Sequence, residues 1–207
     1  MYDKKDSRKE EIILTALELA SQKGLGNVSM SMIADKIGIR KPSLYHHFAS
    51  KEELVEAMYA FLRERAKQLT NTGMVDYRVL FSGKTAPEIL QEVIGGYIRM
   101  NRQEDIRAFY KVIYSERCHH PAAAKIMAEE TERMILATKQ LFYAMQVHGL
   151  LHFRDADMSA VSFALTVHGL MEFAEDRNTG GDGTANEAAD RMHEYLAWFC
   201  RENTEKE

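Results

Sequence analysis

Residues 41–47 place several hydrogen-bonding side chains next to one another in a short stretch of chain. These side chains are Lys41, Ser43, Tyr45, His46 and His47. Leu44 and Phe48 are four residues apart and would form the buried side of a helix over this segment. A helix with one apolar side and one side of hydrogen-bond donors and acceptors can read base edges in the major groove of DNA. The segment therefore predicts a DNA-contacting surface.

A second short helix and a turn precede this segment. Ile33, Ala34 and Ile37 share one face of a helix. Gly38 can take the positive φ angle that ends a helix, and Pro42 falls in the first turn of the next one, where its missing N–H costs nothing. Two short helices joined by a turn with Gly make a helix-turn-helix. The alternative is a structural corner of a helical bundle with a solvated outer face.

This helix-turn-helix resembles the DNA-binding domain of the TetR family of bacterial transcriptional regulators. The residues that match the family's pattern are Ile33, Ala34, Gly38, Lys41 to Tyr45, His47, Lys51 and Leu54. The resemblance extends over residues 8–60 or so, and the rest of the chain is similar only in length and helical character.

The resemblance implies a double-stranded DNA operator as a partner. The side chains expected to face it are Ser31, Lys41, Pro42, Ser43, Tyr45, His46 and His47. We expect a base contact from Lys41, because Lys can donate to O6 and N7 of guanine. The resemblance further implies that Lys51 meets a phosphate.

Composition and charge are compatible with a DNA-binding protein. The 207 residues are 45% hydrophobic and carry a net charge of −4. Residues 1–50 hold eight Lys and Arg against six Asp and Glu, so this part is net +2 and the remainder is −6. A local basic surface, rather than the total, provides attraction to phosphates. The polar start of the chain and the lack of a long apolar run predict a cytoplasmic protein without a membrane partner.

The periodicity predicts an all-α fold with about nine helices. Residues 1–50 form the expected three-helix DNA-binding domain, helix 51–69 connects, and residues 51–207 form a larger ligand-binding and dimerisation domain. A Ser50 to Glu53 capping box begins the connecting helix. Residues 71–85 are expected to form a linker, which could contain a helical turn or a short strand-like stretch. Further helices are expected over 8–23, 86–102, 104–116, 121–148, 157–174 and 185–201, with caps at Thr85, Asp157 and Thr184.

The last two helices are predicted to form a homodimer. The first is apolar almost all round, which requires burial on several sides. A two-fold four-helix bundle with a second copy would provide that burial, as the resemblance also implies. The expected interface residues are Phe163, Val167, Leu170, Tyr195 and Phe199. A core formed within one chain is the alternative.

The middle helices are predicted to surround a pocket for a small, mostly apolar effector. Met and aromatic side chains suit such a pocket, with His168 as a polar group. The set is Tyr97, Met100, Phe109, Tyr110, Ile113, Tyr114, Met127, Met134, Phe142 and His168. The same pattern would occur in an ordinary core.

No arrangement of residues predicts catalysis or a cofactor. We interpret four side chains as solvated or capping groups rather than as metal ligands, namely Cys118, His119, His120 and His152. Residues 180–183, GGDG, lack a preceding strand and read as a loop. Two hypotheses remain. One is a homodimeric repressor released from its operator by a ligand. The other is a DNA-binding protein without an effector, acting through a protein partner.

Overall fold

The chain is all-α, as predicted. The computed structural model describes residues 4–70, 75–180 and 185–204, and these ranges contain no strand. Their helices are α1 Lys4–Lys23, a 3₁₀ turn Leu25–Asn27, α2 Met30–Ile37, α3 Lys41–His47, α4 Lys51–Thr70, α5 Tyr77–Phe81, α6 Ala86–Asn101, α7 Glu104–Glu116, α8 Pro121–Val147, α9 Ala156–Gly180 and α10 Ala185–Glu202. None of the described helices is both long enough and apolar enough to cross a membrane.

The elements form two compact units. Unit 1 comprises Met1–Gly73 and Ile98–Ala128, and unit 2 comprises Met74–Tyr97 and Glu129–Glu207. Helices α6 and α8 contribute residues to both. Helix α7 packs against α1 and α4, so that it shares a core with the helix-turn-helix.

The core of unit 1 is mainly aliphatic. Ile12 and Leu17 of α1, Leu44 of α3 and Met58 of α4 are buried in it. Phe109, Ile113 and Met127, which the sequence analysis assigned to a ligand pocket, are buried in the same core. These three side chains therefore pack in one core with residues of α1, α3 and α4.

The core of unit 2 contains a cluster of aromatic rings. The Phe142 ring lies 4.6 Å from the Phe153 ring, 5.2 Å from Phe163 and 5.4 Å from Phe199, measured between centroids. The Phe163 and Phe199 rings are 4.7 Å apart, and Tyr195 lies beside both. Such ring pairs add to the stabilisation from burial itself.

A short helix occupies part of the expected linker, one expected cap is wrong, and another lies outside the described residues. The Asp76 side chain accepts a hydrogen bond from the Arg78 amide at 3.0 Å and begins α5 in the segment expected to be a linker or a short turn. Asp155, not Asp157, caps α9, since its Oδ1 accepts from the Met158 amide at 2.9 Å. Asp157 instead accepts from the Tyr143 hydroxyl. The predicted cap at Thr184 lies outside the described residues.

Candidate DNA-binding site

Capping residues define both ends of helix α2. The Ser29 hydroxyl accepts a hydrogen bond from the Met32 amide at 3.2 Å, which satisfies one of the free amides of the first turn. Gly38 ends the helix with φ of 77° and ψ of 31°, a left-handed conformation that glycine takes at low cost. Ile33 and Ala34 face the core, as predicted. The turn thereby directs the chain into α3.

Helix α3 presents a polar outer surface on a buried support. Leu44 is fully buried, and Phe48 at its end is buried as well. Pro42 lies in the first turn, as predicted. The exposed residues are Lys41, Pro42, Ser43, Tyr45 and His46, while His47 and Ser31 are half-buried. We call the seven residues of these two groups the α3 surface.

Side chains of the α3 surface contact one another. The Lys41 ammonium lies 5.9 Å from the centroid of the Tyr45 ring, a cation–π contact that restricts both side chains. The rings of His46 and His47 meet edge to face at 6.0 Å. The surface offers an ammonium, a hydroxyl, a phenol and imidazoles, which together can donate to and accept from base edges.

Lys51 has a clear partner within the chain. Its ammonium donates to the Leu25 carbonyl at 2.8 Å and to the Gly26 carbonyl at 3.4 Å. The Ser50 hydroxyl accepts from the Glu53 amide at 3.1 Å, and the Glu53 carboxylate accepts from the Ala49 amide at 2.6 Å. The expected capping signal therefore begins α4, but the back-bond goes to Ala49 rather than to Ser50.

Lys9 of α1 approaches the end of α3 unexpectedly. Its ammonium lies 5.7 Å from the centroid of the Phe48 ring. Sequence reasoning missed it, because no local pattern joins two residues so far apart in the chain. Another contact to α1 comes from Lys36 of α2, which pairs with Glu18. The hydrogen bond from Lys36 holds the pKa of the Glu18 carboxyl below its usual value.

The residues expected to line an effector pocket are divided between the two units. Met100, Phe109, Tyr110, Ile113, Tyr114 and Met127 lie in unit 1, and Tyr97, Met134, Phe142 and His168 lie in unit 2. Phe142 is fully buried within the aromatic cluster of unit 2. Phe109, Ile113 and Met127 are likewise buried, in the core of unit 1. His168 is half-buried, with Nε2 3.8 Å from the Glu172 carboxylate.

Three residues of the predicted dimer interface are buried by their own chain. Phe163, Val167 and Phe199 are each at most 5% exposed. These side chains contribute to the core of unit 2. Leu170 and Tyr195 are half-buried. The large apolar residues that α9 and α10 expose are Met158, Leu165 and Trp198.

The residues weighed for a metal site do not come together as ligands. His120 packs edge to face on Tyr59, with ring centroids 5.6 Å apart. The His152 amide donates to the Asn203 carbonyl, and Cys118 is exposed. Among the described residues, no group of three or more His, Cys, Asp or Glu side chains is arranged to hold a metal ion.

Two family models match the chain. The model for bacterial regulatory proteins of the tetR family matches residues 12–58, which contain the helix-turn-helix. The model for the C-terminal domain of AefR-like transcriptional repressors matches residues 88–200. The transcriptional repressor KstR2 of Mycobacterium tuberculosis is 43% identical over 53 residues, 26% of each chain. The chain thus spans about a quarter of the length of such curated relatives.

Solved structures share the fold over nearly the whole chain. A putative TetR-family transcriptional regulator from Mesorhizobium loti is 19% identical, with a TM-score of 0.69 over 98% of this chain and 100% of that one. A putative regulator from Saccharomonospora viridis, solved in complex with choline, is 21% identical, with the same TM-score and coverage. Identities this low show the fold alone. Since the AefR-like model by itself spans more than half of the residues, the chain belongs to the TetR family of transcriptional regulators.

Proposed function

We propose that the protein is a homodimeric transcriptional repressor that binds operator DNA and is released by a small, mostly apolar ligand. The observation that carries the proposal is the α3 surface, where Lys41, Ser43, Tyr45 and His46 are exposed above the buried Leu44. A protein that reads operators acts where the bacterial chromosome is, in the cytoplasm. The family consists of regulators rather than enzymes, which supports a role without catalysis.

The α3 surface would lie in the major groove, with Lys41 as the base-reading residue. An ammonium can donate to O6 and N7 of guanine. Tyr45, Ser43 and His46 would position the helix through phosphates and further base edges. Unit 1 supports this placement through its charge, since it holds 18 Lys and Arg against 13 Asp and Glu. That excess favours association with phosphates.

The proposed dimer uses the outer side of α9 and α10. Leu165 is 45% exposed and Trp198 is 49% exposed, which leaves large apolar surfaces uncovered in a single chain. Tryptophan is enriched among the residues that dominate interface energies. Leu170 and Tyr195, half-buried in the monomer, complete the proposed contact. A two-fold dimer would place two α3 helices on operator half-sites about 34–36 Å apart.

The effector is proposed to bind in unit 2, near Tyr97, Met134 and His168. All three are half-buried, so each retains surface for a ligand. Met and aromatic side chains adapt to apolar ligands, and His168 can exchange a hydrogen bond. The regulator from Saccharomonospora viridis was solved with choline. Choline therefore belongs in a test panel beside neutral aromatic and acyl compounds.

Selection of binding sequences from random DNA tests the first part of the proposal. We expect a palindromic sequence of two half-sites, enriched by the wild-type protein and lost when Lys41, Tyr45 and His46 are all replaced by Ala. Enrichment of no sequence would contradict operator binding.

Sedimentation of charged variants tests the dimer. Leu165→Glu and Trp198→Glu should give monomers at micromolar concentration with unchanged helix content, because each would bury an unpaired charge at the contact. Val79→Glu on α5, which is 71% exposed, is the matched control and should leave the assembly intact. Monomeric wild-type protein would overturn the dimer.

Thermal unfolding with a metabolite panel tests the effector. A ligand at a hundred times its Kd stabilises the folded state by about 2.7 kcal/mol. The same ligand should dissociate the protein from the selected operator. Operator binding that no small molecule affects would favour the alternative, a regulator that acts through a protein partner.

A further inference from the structure

Most of the net positive charge of unit 1 lies outside residues 1–73, which contain the helix-turn-helix. Residues 1–73 hold 12 Lys and Arg against 10 Asp and Glu, whereas residues 98–128 hold six against three. All six basic residues of the second segment are exposed, namely Arg99, Arg102, Arg107, Lys111, Arg117 and Lys125. The α3 surface contains none of them, so a second surface of unit 1 carries much of its positive charge.

The outer side of α7 presents the centre of this charge. Arg107 and Lys111 lie one turn apart and are exposed, while Phe109 and Ile113 on the opposite side are fully buried. The acidic residues of α7 are confined to its first two positions and its last one, so the middle of the helix is basic. Like charges one turn apart repel each other on a helix. An anion bound between them would offset that repulsion.

Two tyrosines flank the cations on the same side of α7. Tyr110 and Tyr114 are half-buried, and their ring centroids are 6.5 Å apart. The Arg117 guanidinium lies 4.8 Å from the centroid of the Tyr114 ring, a cation–π contact that restricts the guanidinium. Arginine, lysine and tyrosine side chains all donate to DNA phosphates. We call Arg107, Tyr110, Lys111, Tyr114 and Arg117 the α7 surface.

Helices α3 and α7 both border α1. Helix α7 packs along α1, and Lys9 of α1 approaches Phe48 at the end of α3. The α7 surface therefore belongs to the same compact unit as the DNA-reading helix. A basic surface attracts either nucleic acid or an acidic protein. Nucleic acid is favoured here, because the helix-turn-helix brings this unit to DNA.

We propose that the α7 surface is a second contact for duplex DNA, which binds the phosphate backbone outside the half-site read by α3. Arg107, Lys111 and Arg117 neutralise phosphates there, and no base is read. The contact is therefore independent of sequence. It adds to the proposed operator binding and does not require operator recognition.

Salt titration of a protein with a disabled α3 surface isolates the second contact. The parent protein carries Lys41→Ala, Tyr45→Ala and His46→Ala. Its binding to random-sequence duplex DNA is measured with and without Arg107→Gln and Lys111→Gln. Each phosphate neutralised by a cation contributes about 0.9 to the slope of log affinity against log salt concentration. Loss of both cations should lower the slope by about 1.8 for each chain in contact and weaken binding about tenfold at low salt.

Two control pairs separate a contact from a general effect of charge. Arg78→Gln with Arg154→Gln removes the same charge from exposed positions of unit 2 and should leave the slope unchanged. Arg107→Lys with Lys111→Arg keeps both charges and should keep the parent slope. Should the Gln pair on α7 fail to fold, Lys111→Gln alone is measured and should lower the slope by about 0.9.

Two results would overturn the second contact. An unchanged slope in the Gln pair on α7 would show that this surface does not bind DNA, and an acidic protein would become its expected partner. An equal decrease in the control pair of unit 2 would attribute the effect to net charge. Failure of the wild-type protein to select an operator would contradict the proposed function but not this contact, because random DNA carries the same phosphates.

Discussion

Units 1 and 2 differ in charge more than the linear sequence indicates. Unit 1 holds 18 Lys and Arg against 13 Asp and Glu, whereas unit 2 holds 9 against 18. The net positive charge of unit 1 attracts phosphates, and the net negative charge of unit 2 repels them. Residues 98–128, with six basic and three acidic residues, join unit 1 because α7 packs on α1. Charge is therefore best counted over the packed unit rather than over a sequence range.

The two units also differ in how their cores are built. Unit 1 buries mostly aliphatic side chains from helices distant in sequence, with Phe109 among them. Unit 2 concentrates aromatic rings around Phe142. A variant in one core should therefore disturb a different set of helices from a variant in the other.

The largest expected effect comes from paired cavity variants. Phe109→Ala and Phe142→Ala should each lower the free energy of unfolding by about 3–5 kcal/mol, because both rings are fully buried. Hydrogen exchange should show lost protection in α1 and α4 for Phe109→Ala. For Phe142→Ala the loss should fall in α9 and α10.

The pair also tests whether Phe109 acts as a core residue or as a pocket residue. A pocket residue would weaken effector binding and leave stability and DNA affinity unchanged. If Phe109→Ala unfolds at the wild-type denaturant concentration, the core assignment fails.

Alkaline pH should destabilise both units through different groups. Burial raises the pKa of the Cys200 thiol from 9.0 to about 11. Burial and the nearby Glu116 charge raise the pKa of Tyr59 from 10.0 to about 12. The folded state retains each proton longer than the unfolded chain does. The associated stability is therefore complete below pH 9 for Cys200 and below pH 10 for Tyr59, and is lost as the pH rises towards 11 and 12.

Each alkaline loss should amount to about 2–3 kcal/mol. Urea denaturation between pH 8 and pH 12 measures it. Cys200→Ala should remove the decline that begins near pH 9, and Tyr59→Phe the one that begins near pH 10. The double variant controls for the titration of surface lysines. A double variant that loses as much stability as the wild type would contradict both assignments.

Lys41→Ala should affect DNA binding without affecting either core. The side chain is exposed, so we expect wild-type stability. Loss of a base contact should cost about 1–3 kcal/mol of binding and relax the preference at one base pair per half-site. Lys36→Ala, which removes a cation paired with Glu18, is the control and should leave base preference unchanged. Intact affinity and preference in Lys41→Ala would remove it from the base-contacting set.

Local signals explain which features the sequence could predict. Gly38, Pro42 and the capping residues around Ser50 act within a few residues, so the helix-turn-helix and most helix bounds were predictable. The packing of α7 on α1 joins distant segments, and no periodicity specifies a partner. For the same reason the apolar pattern of α9 did not indicate whether the helix is buried within one chain or in a dimer. Phe163 and Phe199 prove to be buried within the chain.

Helix caps provide the smallest comparison between the units. Ser29 caps α2 of unit 1, and Asp155 caps α9 of unit 2. Replacing either with Ala leaves an amide of the first turn without its partner and should cost about 1 kcal/mol. The charge of Asp155 also interacts favourably with the positive end of α9, so Asp155→Ala should be the more costly at low salt. High salt should bring the two losses closer together.

Asp157→Ala is the control for this comparison, because the sequence analysis expected the cap at Asp157, two residues after Asp155. Asp157 accepts from the Tyr143 hydroxyl at 2.9 Å and lies 3.3 Å from the Lys139 ammonium. Its removal takes away contacts between α8 and α9 but leaves the Met158 amide bonded to Asp155. Denaturation should therefore show a smaller loss of unfolding free energy for Asp157→Ala than for Asp155→Ala. Faster exchange of the Met158 amide is expected only in Asp155→Ala. The reverse ranking would return the cap to Asp157.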